Sequence, residues 1–245
     1  MLKENGDLLS DTVTDIINCS FAESRLPPSW KSADTVPIPK QKPIKDVNKH
    51  LRPISSPVLS KVAEEFVVAE HLRPSILKKI GDNHFGAIPE SSTTHALISV
   101  VHSWTKHTDG TGSTVRVVLF DYRKAFDLID HALLARKLLT LDMPVGVSFW
   151  IIDFLTDRTQ RVKLGEDCLS EWRNVPAGVP QETKLGPWLF ILMIDDIITS
   201  NTELWKYVDD TTIAECVDKK EDSRIQSDVE ELIAKSNQNK FQLNI

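Results

Sequence analysis

The sequence has little cysteine and little glycine, and both shortages exclude classes of protein. Its 245 residues include three cysteines and nine glycines. Cys19, Cys168 and Cys216 are odd in number, widely spaced and without a CxxC pair. This pattern argues against a disulfide framework or a zinc knuckle and favours a reducing compartment, so we expect each cysteine to be a small buried apolar residue. The scarcity of glycine and the absence of a short repeat exclude collagen-like and low-complexity chains.

Long apolar runs are also missing. The longest, residues 188–194, is followed directly by Asp195 and Asp196, whereas a transmembrane helix needs about 20 apolar residues. The amino-terminal sequence lacks the apolar core of a secretory signal. We therefore expect an intracellular protein of the nucleus or cytoplasm that has no membrane partner. The sequence leaves the oligomeric state open.

The chain does have enough apolar sequence for a core, and its charge is unevenly placed. Apolar residues make up 41% of it, and the net charge is −6, which argues mildly against a nucleic-acid partner. Residues 31–52, however, hold six bases and two acids, whereas residues 195–231 hold twelve acids and four bases. The two segments form either one site for anions and metal cations or two ordinary solvated faces.

Hydrophobic periodicity predicts helices mixed with strands and no linker, so we expect one α+β unit with two subdomains. The predicted helices cover residues 11–22, 57–80 (interrupted at Pro74), 91–106, 132–139, 145–155, 185–198 and 222–239. In the helix 132–139 we expect four leucines to face inward, namely Leu133, Leu134, Leu138 and Leu139. The predicted strands are 35–39 at a sheet edge, 115–120 as a buried strand, a hairpin within 160–175, and 205–208 with 211–215.

Carboxylates occupy the places where predicted strands end. An apolar run leads directly into Asp121, and Asp209 and Asp210 separate the last two predicted strands. A carboxylate at the end of one strand can meet another on a neighbouring hairpin turn. Close aspartates repel one another unless a divalent cation neutralises them, and oxygen ligands suit Mg²⁺. Paired aspartates are also common in turns for their backbone preferences, so the spacing alone leaves both interpretations open.

Six segments in a fixed order cover nearly the whole chain. The first three are WKSADTVPIPK (30–40), HLRPISSPVLSKVAEE (50–65) and HFGAIPESSTTHALISVV (84–101). The last three are VVLFDYRKAFDLIDH (117–131), AGVPQETKLGPWLFILMIDDI (177–197) and the hairpin KYVDDTTI (206–213). In this order the segments resemble motifs of reverse transcriptases from LINE-type (non-LTR) retrotransposons: the last three are similar to the palm motifs of the family, and the first three to the segments before the palm.

The resemblance implies a right-hand polymerase fold of the α+β class, with an antiparallel palm sheet packed with helices and with helical and extended fingers. Residues 1–110 would be fingers-like and residues 111–245 the palm, with fingers elements returning near 132–175. The family's thumb and its upstream endonuclease domain are expected to be missing. We therefore expect a partial or decayed reading frame.

The resemblance also assigns residues to a two-metal nucleotidyl transfer, in which a primer 3′-hydroxyl attacks the α-phosphorus of a dNTP. Its partners would be an RNA template with a DNA primer and the dNTP. Two Mg²⁺ ions, with Mn²⁺ as an alternative, would be held by the catalytic carboxylates Asp121, Asp209 and Asp210. The substrate would be contacted by Lys40 and Arg52 over the triphosphate, the backbone near Tyr122, Phe126 under the sugar, and Gln181 at the incoming nucleotide and template. Without the resemblance, Phe126 is equally a core side chain and Lys40 a solvated lysine.

The sequence departs from the family after Gln181. Glu182-Thr183-Lys184 stands where the family has a small Gly-Ser type pair, and glycine there allows close approach of the backbone to the substrate. We expect the bulk and charge of Glu182 to weaken dNTP binding.

Two alternatives remain open. A catalytically dead relic would act as an RNA- or protein-binding module and would need no divalent cation at Asp121 and Asp209. An unrelated carboxylate-metal phosphoesterase lacks histidine ligands at metal spacing and leaves the ordered motifs unexplained.

Overall fold

The computed structural model describes residues 6–46, 50–55, 59–110 and 112–244, and it divides the chain into two compact units. Unit 1 comprises residues 1–75 and 131–186, and unit 2 comprises residues 76–130 and 187–245. Each unit therefore combines two stretches that are far apart in the sequence.

Unit 1 combines helices with a four-stranded sheet. Its elements are α1 (Gly6–Glu23), a 3₁₀ turn (Pro28–Trp30), β1 (Ser32–Pro39), β2 (Leu51–Ser55), α2 (Ser60–Val67), a π-helical turn (Val68–Leu72), α3 (Arg73–Leu77), α5 (His131–Leu138), α6 (Val145–Leu155), β4 (Thr159–Val162) and β5 (Arg173–Asn174). α3 continues two residues into unit 2. The sheet order is β2-β1-β4-β5, with only β1 and β4 parallel. Trp150 and Phe154 are fully buried in its core.

The prediction that residues 35–39 lie at a sheet edge is confirmed for residues 36–39, although β1 as a whole is not an edge strand. β1 lies between β2 and β4, but β4 reaches only to Val162, which is paired with Thr35. Beyond that pair β1 has β2 as its one neighbour. Pro37 and Pro39, which have no N–H to donate, therefore occupy the half of the strand where one side needs no partner.

The predicted interruption at Pro74 takes the form of a π-helical turn. Residues 57–58 of the predicted helix lie outside the described residues, but from Ser60 to Leu77 the chain stays helical, with the π-helical turn Val68–Leu72 in the middle. Proline removes one backbone donor and crowds the carbonyl four residues before it. A wider turn directly before Pro74 accommodates both effects.

Unit 2 is built on a three-stranded antiparallel sheet with the order β3-β7-β6. Its elements are α4 (Thr93–Thr108), β3 (Thr114–Phe120), α7 (Leu185–Ile194, whose first two residues belong to unit 1), β6 (Glu203–Tyr207), β7 (Asp210–Val217) and α8 (Ile225–Gln238). Ser92 begins α4 by accepting a hydrogen bond from the N–H of His95, as expected for an N-cap serine. α7 is apolar almost throughout and almost wholly buried, which is typical of a central helix.

Three burial predictions are wrong. β3 is not a buried strand, because Val117 is 38% and Leu119 is 76% exposed. Leu139, placed inward by the helical pattern, follows the end of α5 and is 50% exposed. None of the three cysteines is buried; all are free thiols. Within the described residues, no helix combines the length and the apolar character that crossing a bilayer requires.

Candidate active site

The strand register places Asp121 next to the hairpin between β6 and β7. Phe120, the last residue of β3, pairs with Thr211 of β7. Tyr207 pairs with Asp210 across the turn, which contains Val208 and Asp209. Asp121 directly follows Phe120 and Asp210 directly precedes Thr211, so the two aspartates lie at the same end of the β3–β7 ladder. The prediction that Asp209 and Asp210 lie in a strand–turn–strand is confirmed, although Asp210 already belongs to β7.

Asp121 and Asp210 are close enough to influence each other electrostatically. Desolvation raises the pKa of Asp210, and the negative charge of Asp121 raises it further. Both side chains are exposed, whereas Asp209 is half-buried in the turn. A cation near this pair would relieve the repulsion between the two carboxylates.

The donor set fits a magnesium ion that is completed by water and substrate. Among the described residues, no three His, Cys, Asp or Glu side chains converge as a ready-made metal cage. Mg²⁺ usually takes one or two protein carboxylates and fills its other positions with water and phosphate oxygens. The exposed carboxylates of Asp121 and Asp210 suit that mode of binding.

The structure adds a residue that the sequence patterns did not indicate. Asn244 donates from its Nδ2 to Asp121 Oδ2 and from its backbone N–H to the Asp121 carbonyl, both at 2.9 Å. The second Asp121 oxygen takes no part in this contact. The two residues are 123 positions apart, so no local pattern points to the pairing.

Tyr122 has its side chain in the interior of unit 2. Its hydroxyl lies 3.0 Å from Ser236 Oγ, its ring centroid is 5.1 Å from that of Phe241, and burial raises its pKa. Its backbone forms an isolated antiparallel bridge with Leu243. The hydrogen bonds on either side of this bridge join Arg123 to Gln242 and Asn244 to Asp121. The N–H and C=O of Tyr122 therefore point away from Leu243. The buried side chain of Tyr122 is not open to a substrate, and the role predicted for its backbone stays a prediction.

Phe126 is half-buried, and one face of its ring stacks on Phe190, with centroids 4.6 Å apart and an interplanar angle of 20°. This contact holds the ring in place, as aromatic stacking does in protein interiors. The role predicted for Phe126 under the sugar stays a prediction.

The predicted substrate residues Lys40, Arg52 and Gln181 all lie in unit 1. Arg52 is opposite Ile38 in the β1–β2 ladder, and the N–H of Lys40 bonds to the His50 carbonyl at 2.8 Å. Continuing the ladder register puts Lys40 and Arg52 on the same face of the hairpin, because paired residues share a face and alternate residues repeat it. Both are exposed, and Gln181 is half-buried just before α7.

The loop after Gln181 adopts a backbone conformation that suits glycine. Glu182 has a φ of 65° and an exposed side chain, and this left-handed region is unfavourable for residues with a Cβ. The backbone conformation at this position therefore favours glycine, in agreement with the small residue that the resembled family has there. The next residue, Thr183, begins α7 by accepting from the N–H of Gly186 at 3.1 Å.

A buried glutamate, also missed by the sequence patterns, holds this loop. Glu64 is fully buried and accepts from the N–H of Lys184 at 2.8 Å and from Ser60 Oγ at 3.0 Å. Burial raises its pKa, against the effect of these hydrogen bonds and of the Arg158 charge. A helical pattern identifies Glu64 only as a polar residue, because its partners come from distant segments.

Comparison with known proteins gives one consistent family. Residues 38–245 match the protein family described as Reverse transcriptase (RNA-dependent DNA polymerase). The RNA-directed DNA polymerase from the mobile element jockey of Drosophila melanogaster is 30% identical over 210 residues, which cover 81% of this chain and 22% of that protein. The Retrovirus-related Pol polyprotein from the type-1 retrotransposable element R2 of Popillia japonica is 23% identical over 186 residues, covering 76% and 26%. The chain thus spans about a quarter of the length of these relatives.

Solved structures support the same fold. Apo telomerase from Candida tropicalis superposes with a TM-score of 0.62 at 12% identity, covering 97% of this chain and 48% of that one. The predicted α+β, right-hand polymerase fold is confirmed by this similarity and by the family match. The family match covers most of the chain, and the similar proteins come from mobile elements. The chain therefore belongs to the reverse transcriptases of non-LTR retrotransposons.

Proposed function

We propose that the chain supplies the fingers and palm of an RNA-directed DNA polymerase that adds a dNTP to the 3′-hydroxyl of a DNA primer on an RNA template. The observation that supports this function is the placement of Asp121 and Asp210 at the end of the β3–β7 ladder, where one charge raises the pKa of the other. A fingers region in residues 1–110, a palm in residues 111–245 and fingers elements near 132–175 complete the proposal. The assignment of residues 132–175 to the fingers is supported by unit 1, which contains residues 131–186 together with residues 1–75.

The carboxylates would bind divalent cations. The reverse transcriptase family uses divalent metals, and here Asp121, Asp209 and Asp210 would hold two Mg²⁺ ions, or Mn²⁺ in their place. When bound, such ions stabilise charge on phosphate oxygens and increase the acidity of a hydroxyl. Asn244 would keep Asp121 Oδ2 engaged and so direct the other oxygen of that carboxylate towards a cation.

The other site residues would orient the substrates. Lys40 and Arg52, on one face of the β1–β2 hairpin, would bind triphosphate oxygens, and the arginine fork suits two oxygens at once. The backbone of Tyr122 would lie along the triphosphate, and Phe126, supported by Phe190, would form the surface under the sugar. Gln181 would contact the incoming nucleotide and the template. Most of the rate enhancement would come from this positioning.

Primer extension tests the proposed function. With a labelled DNA primer on an RNA template, we expect dNTP-dependent extension in Mg²⁺, loss of extension in EDTA, and recovery with added Mg²⁺ or Mn²⁺. Tight RNA binding without extension in either metal would instead support the RNA-binding relic, and extension that persists in EDTA would contradict the role of the carboxylates.

Glu182→Gly is expected to lower the KM for dNTP by about three- to tenfold, because it removes a negative charge and allows the backbone to approach the triphosphate. Relief of the strain at a φ of 65° and the greater freedom of glycine in the unfolded chain oppose each other, so stability should change by at most about 1 kcal/mol.

Glu182→Gln is the matched control, because it removes the charge and keeps the Cβ. Steady-state kinetics should show part of the KM decrease with Gln and all of it with Gly. An unchanged KM in both variants would show that Glu182 does not influence dNTP binding.

A further inference from the structure

The segment Asn83–Gly86 lies along the outer edge of β6 and is joined to it by one isolated β-bridge. The N–H of Lys206 donates to the Asn83 carbonyl, and the N–H of Phe85 donates to the Lys206 carbonyl, each at 2.9 Å. These bonds form a parallel bridge between His84 and Lys206. The segment therefore pairs with the strand that leads directly into the hairpin turn of Asp209 and Asp210.

Gly86 contacts the backbone of that turn. A Cβ at position 86 would lie 2.4 Å from the backbone N of Val208, 2.4 Å from its Cγ2 and 2.9 Å from the carbonyl carbon of Tyr207. A Cβ atom is essentially never found this close to non-bonded heavy atoms, and two of the three atoms belong to the backbone of Tyr207 and Val208, so a rotamer change cannot relieve the clash. Only glycine allows this approach.

Val208 has an unusual backbone conformation. Its φ is 57°, and for a β-branched residue a positive φ is a real outlier. Such strain, of the order of 1–3 kcal/mol, persists only where the surroundings determine the conformation. Gly86 is the glycine whose neighbours include the Val208 backbone, so the strained residue and the close approach meet at one point.

A buried lysine anchors the same strand from within unit 2. Lys206 is 2% exposed, and its Nζ donates to the carbonyls of Ile194 and Asp195 at 2.7 and 2.8 Å. A cation is favourable there because these carbonyls lie at the carboxyl end of α7. His84 Nε2 lies 3.4 Å from Asp195 Oδ1, so the bridged segment and β6 both approach this helix end.

We propose that Gly86 is a positioning residue for the catalytic hairpin. By packing on the backbone of Val208, it holds the turn in its strained form and fixes where Asp209 and Asp210 project. The inference rests on the proposed function for the role of the two carboxylates, but the packing of Gly86 on the turn is independent of it. Nothing in this role requires Gly86 to touch a substrate.

Gly86→Ala, compared with Gly81→Ala, tests the inference. Gly81 lies in the same unit, and a Cβ there would have no atom within 4 Å. For Gly86→Ala we expect amide hydrogen exchange at residues 207–211 to be about tenfold faster and the Mn²⁺ dissociation constant to rise about tenfold. We also expect kcat for primer extension to fall about a hundredfold, the effect of a displacement of about 1 Å, with the KM for dNTP little changed. Gly81→Ala should match the unchanged protein in all four measurements.

Hydrogen exchange and Mn²⁺ binding separate this inference from the proposed function. If the unchanged protein does not extend primers, the polymerase proposal fails, but faster exchange confined to Gly86→Ala still supports the packing role. If the two glycine variants behave alike, the positioning role is wrong. Should Gly86→Ala fail to fold, hydrogen exchange in the unchanged protein decides. Amides of Phe85 and Lys206 that exchange as slowly as those of β7 support the bridge that holds the Gly86 segment on β6, and exchange at the rate of an unfolded peptide overturns it.

Discussion

Asp121→Asn is expected to reduce primer extension by about a thousandfold or more, because it removes one of the charges that would hold a divalent cation against the substrate phosphates. The change keeps the size of the side chain, and Asp121 is exposed at the end of β3. Unfolding should therefore occur at nearly the same temperature. The loss should appear in kcat and in the affinity for Mn²⁺ alike.

A second measurement on the same variant does not depend on activity. The negative charge of Asp121 raises the pKa of Asp210, so Asp121→Asn should lower the pKa of the Asp210 carboxyl and leave only the effect of desolvation. A carbon-detected NMR titration of the aspartate carboxyls would measure this shift.

Asp222→Asn is the matched control. Asp222 is an exposed carboxylate of the same unit that lies between β7 and α8, beyond the end of β7 that is opposite to the turn. It should change neither the kinetics nor the pKa of Asp210. Equal activity in Asp121→Asn and Asp222→Asn would contradict the assignment of Asp121 as a catalytic residue.

Glu64→Leu is expected to destabilise the protein by about 3–5 kcal/mol, because it leaves the buried charge of Arg158 uncompensated. Arg158 is 3% exposed, and burial lowers its pKa whereas the charge of Glu64 raises it. Without Glu64 the guanidinium keeps a hydrogen bond to the Phe154 carbonyl and its position over the Phe154 ring, but it has lost its compensating charge. The N–H of Lys184 also loses its acceptor.

Three further variants separate these contributions. Glu64→Gln keeps an oxygen for the Lys184 N–H and removes the charge, so its effect should be smaller than that of Glu64→Leu. Adding Arg158→Met to Glu64→Leu should recover much of the lost stability, because no unpaired charge stays buried. Glu65→Gln is the control, since Glu65 and its ion-pair partner Lys184 are each 55% exposed and such pairs contribute little.

Chemical denaturation measures the free energy of unfolding of these four variants and of the unchanged protein. We expect Glu65→Gln to stay within about 0.5 kcal/mol of the unchanged protein. If Glu64→Leu is equally mild, the Glu64 contact does not hold the loop that contains Gln181. If the double variant is no more stable than Glu64→Leu, the loss arises from the hydrogen bonds and the cavity rather than from the charge.

Local patterns were sufficient for most elements and for the central motif. The β-branched run at residues 115–120, bounded by turn residues, predicted β3, and the Asp pair between two β-rich runs predicted the hairpin that carries Asp209 and Asp210. These features depend on residues that are neighbours in the chain, so propensity and periodicity are enough. The order of the motifs was enough for the family.

Burial and strand position were less predictable, because they depend on what covers an element. Leu119 has the composition of a core residue, yet it is 76% exposed. The prolines of β1 predicted a sheet edge and do lie where the strand has one neighbour, but the first half of β1 also pairs with β4. In both cases the deciding neighbour comes from a distant part of the sequence.

The amino-acid sequence by itself determined the class of the chain, most of its helices and strands, and the motif in which Asp209 and Asp210 adjoin a turn. Only the tertiary structure decided that Asn244 binds Asp121, that Glu64 is buried against the loop before α7, and that Gly86 lies on the Val208 backbone. The physical reason is that a single polar residue or glycine does not contribute to the hydrophobic periodicity from which helices and strands are predicted. Its role is set by partners that folding brings close from far along the chain.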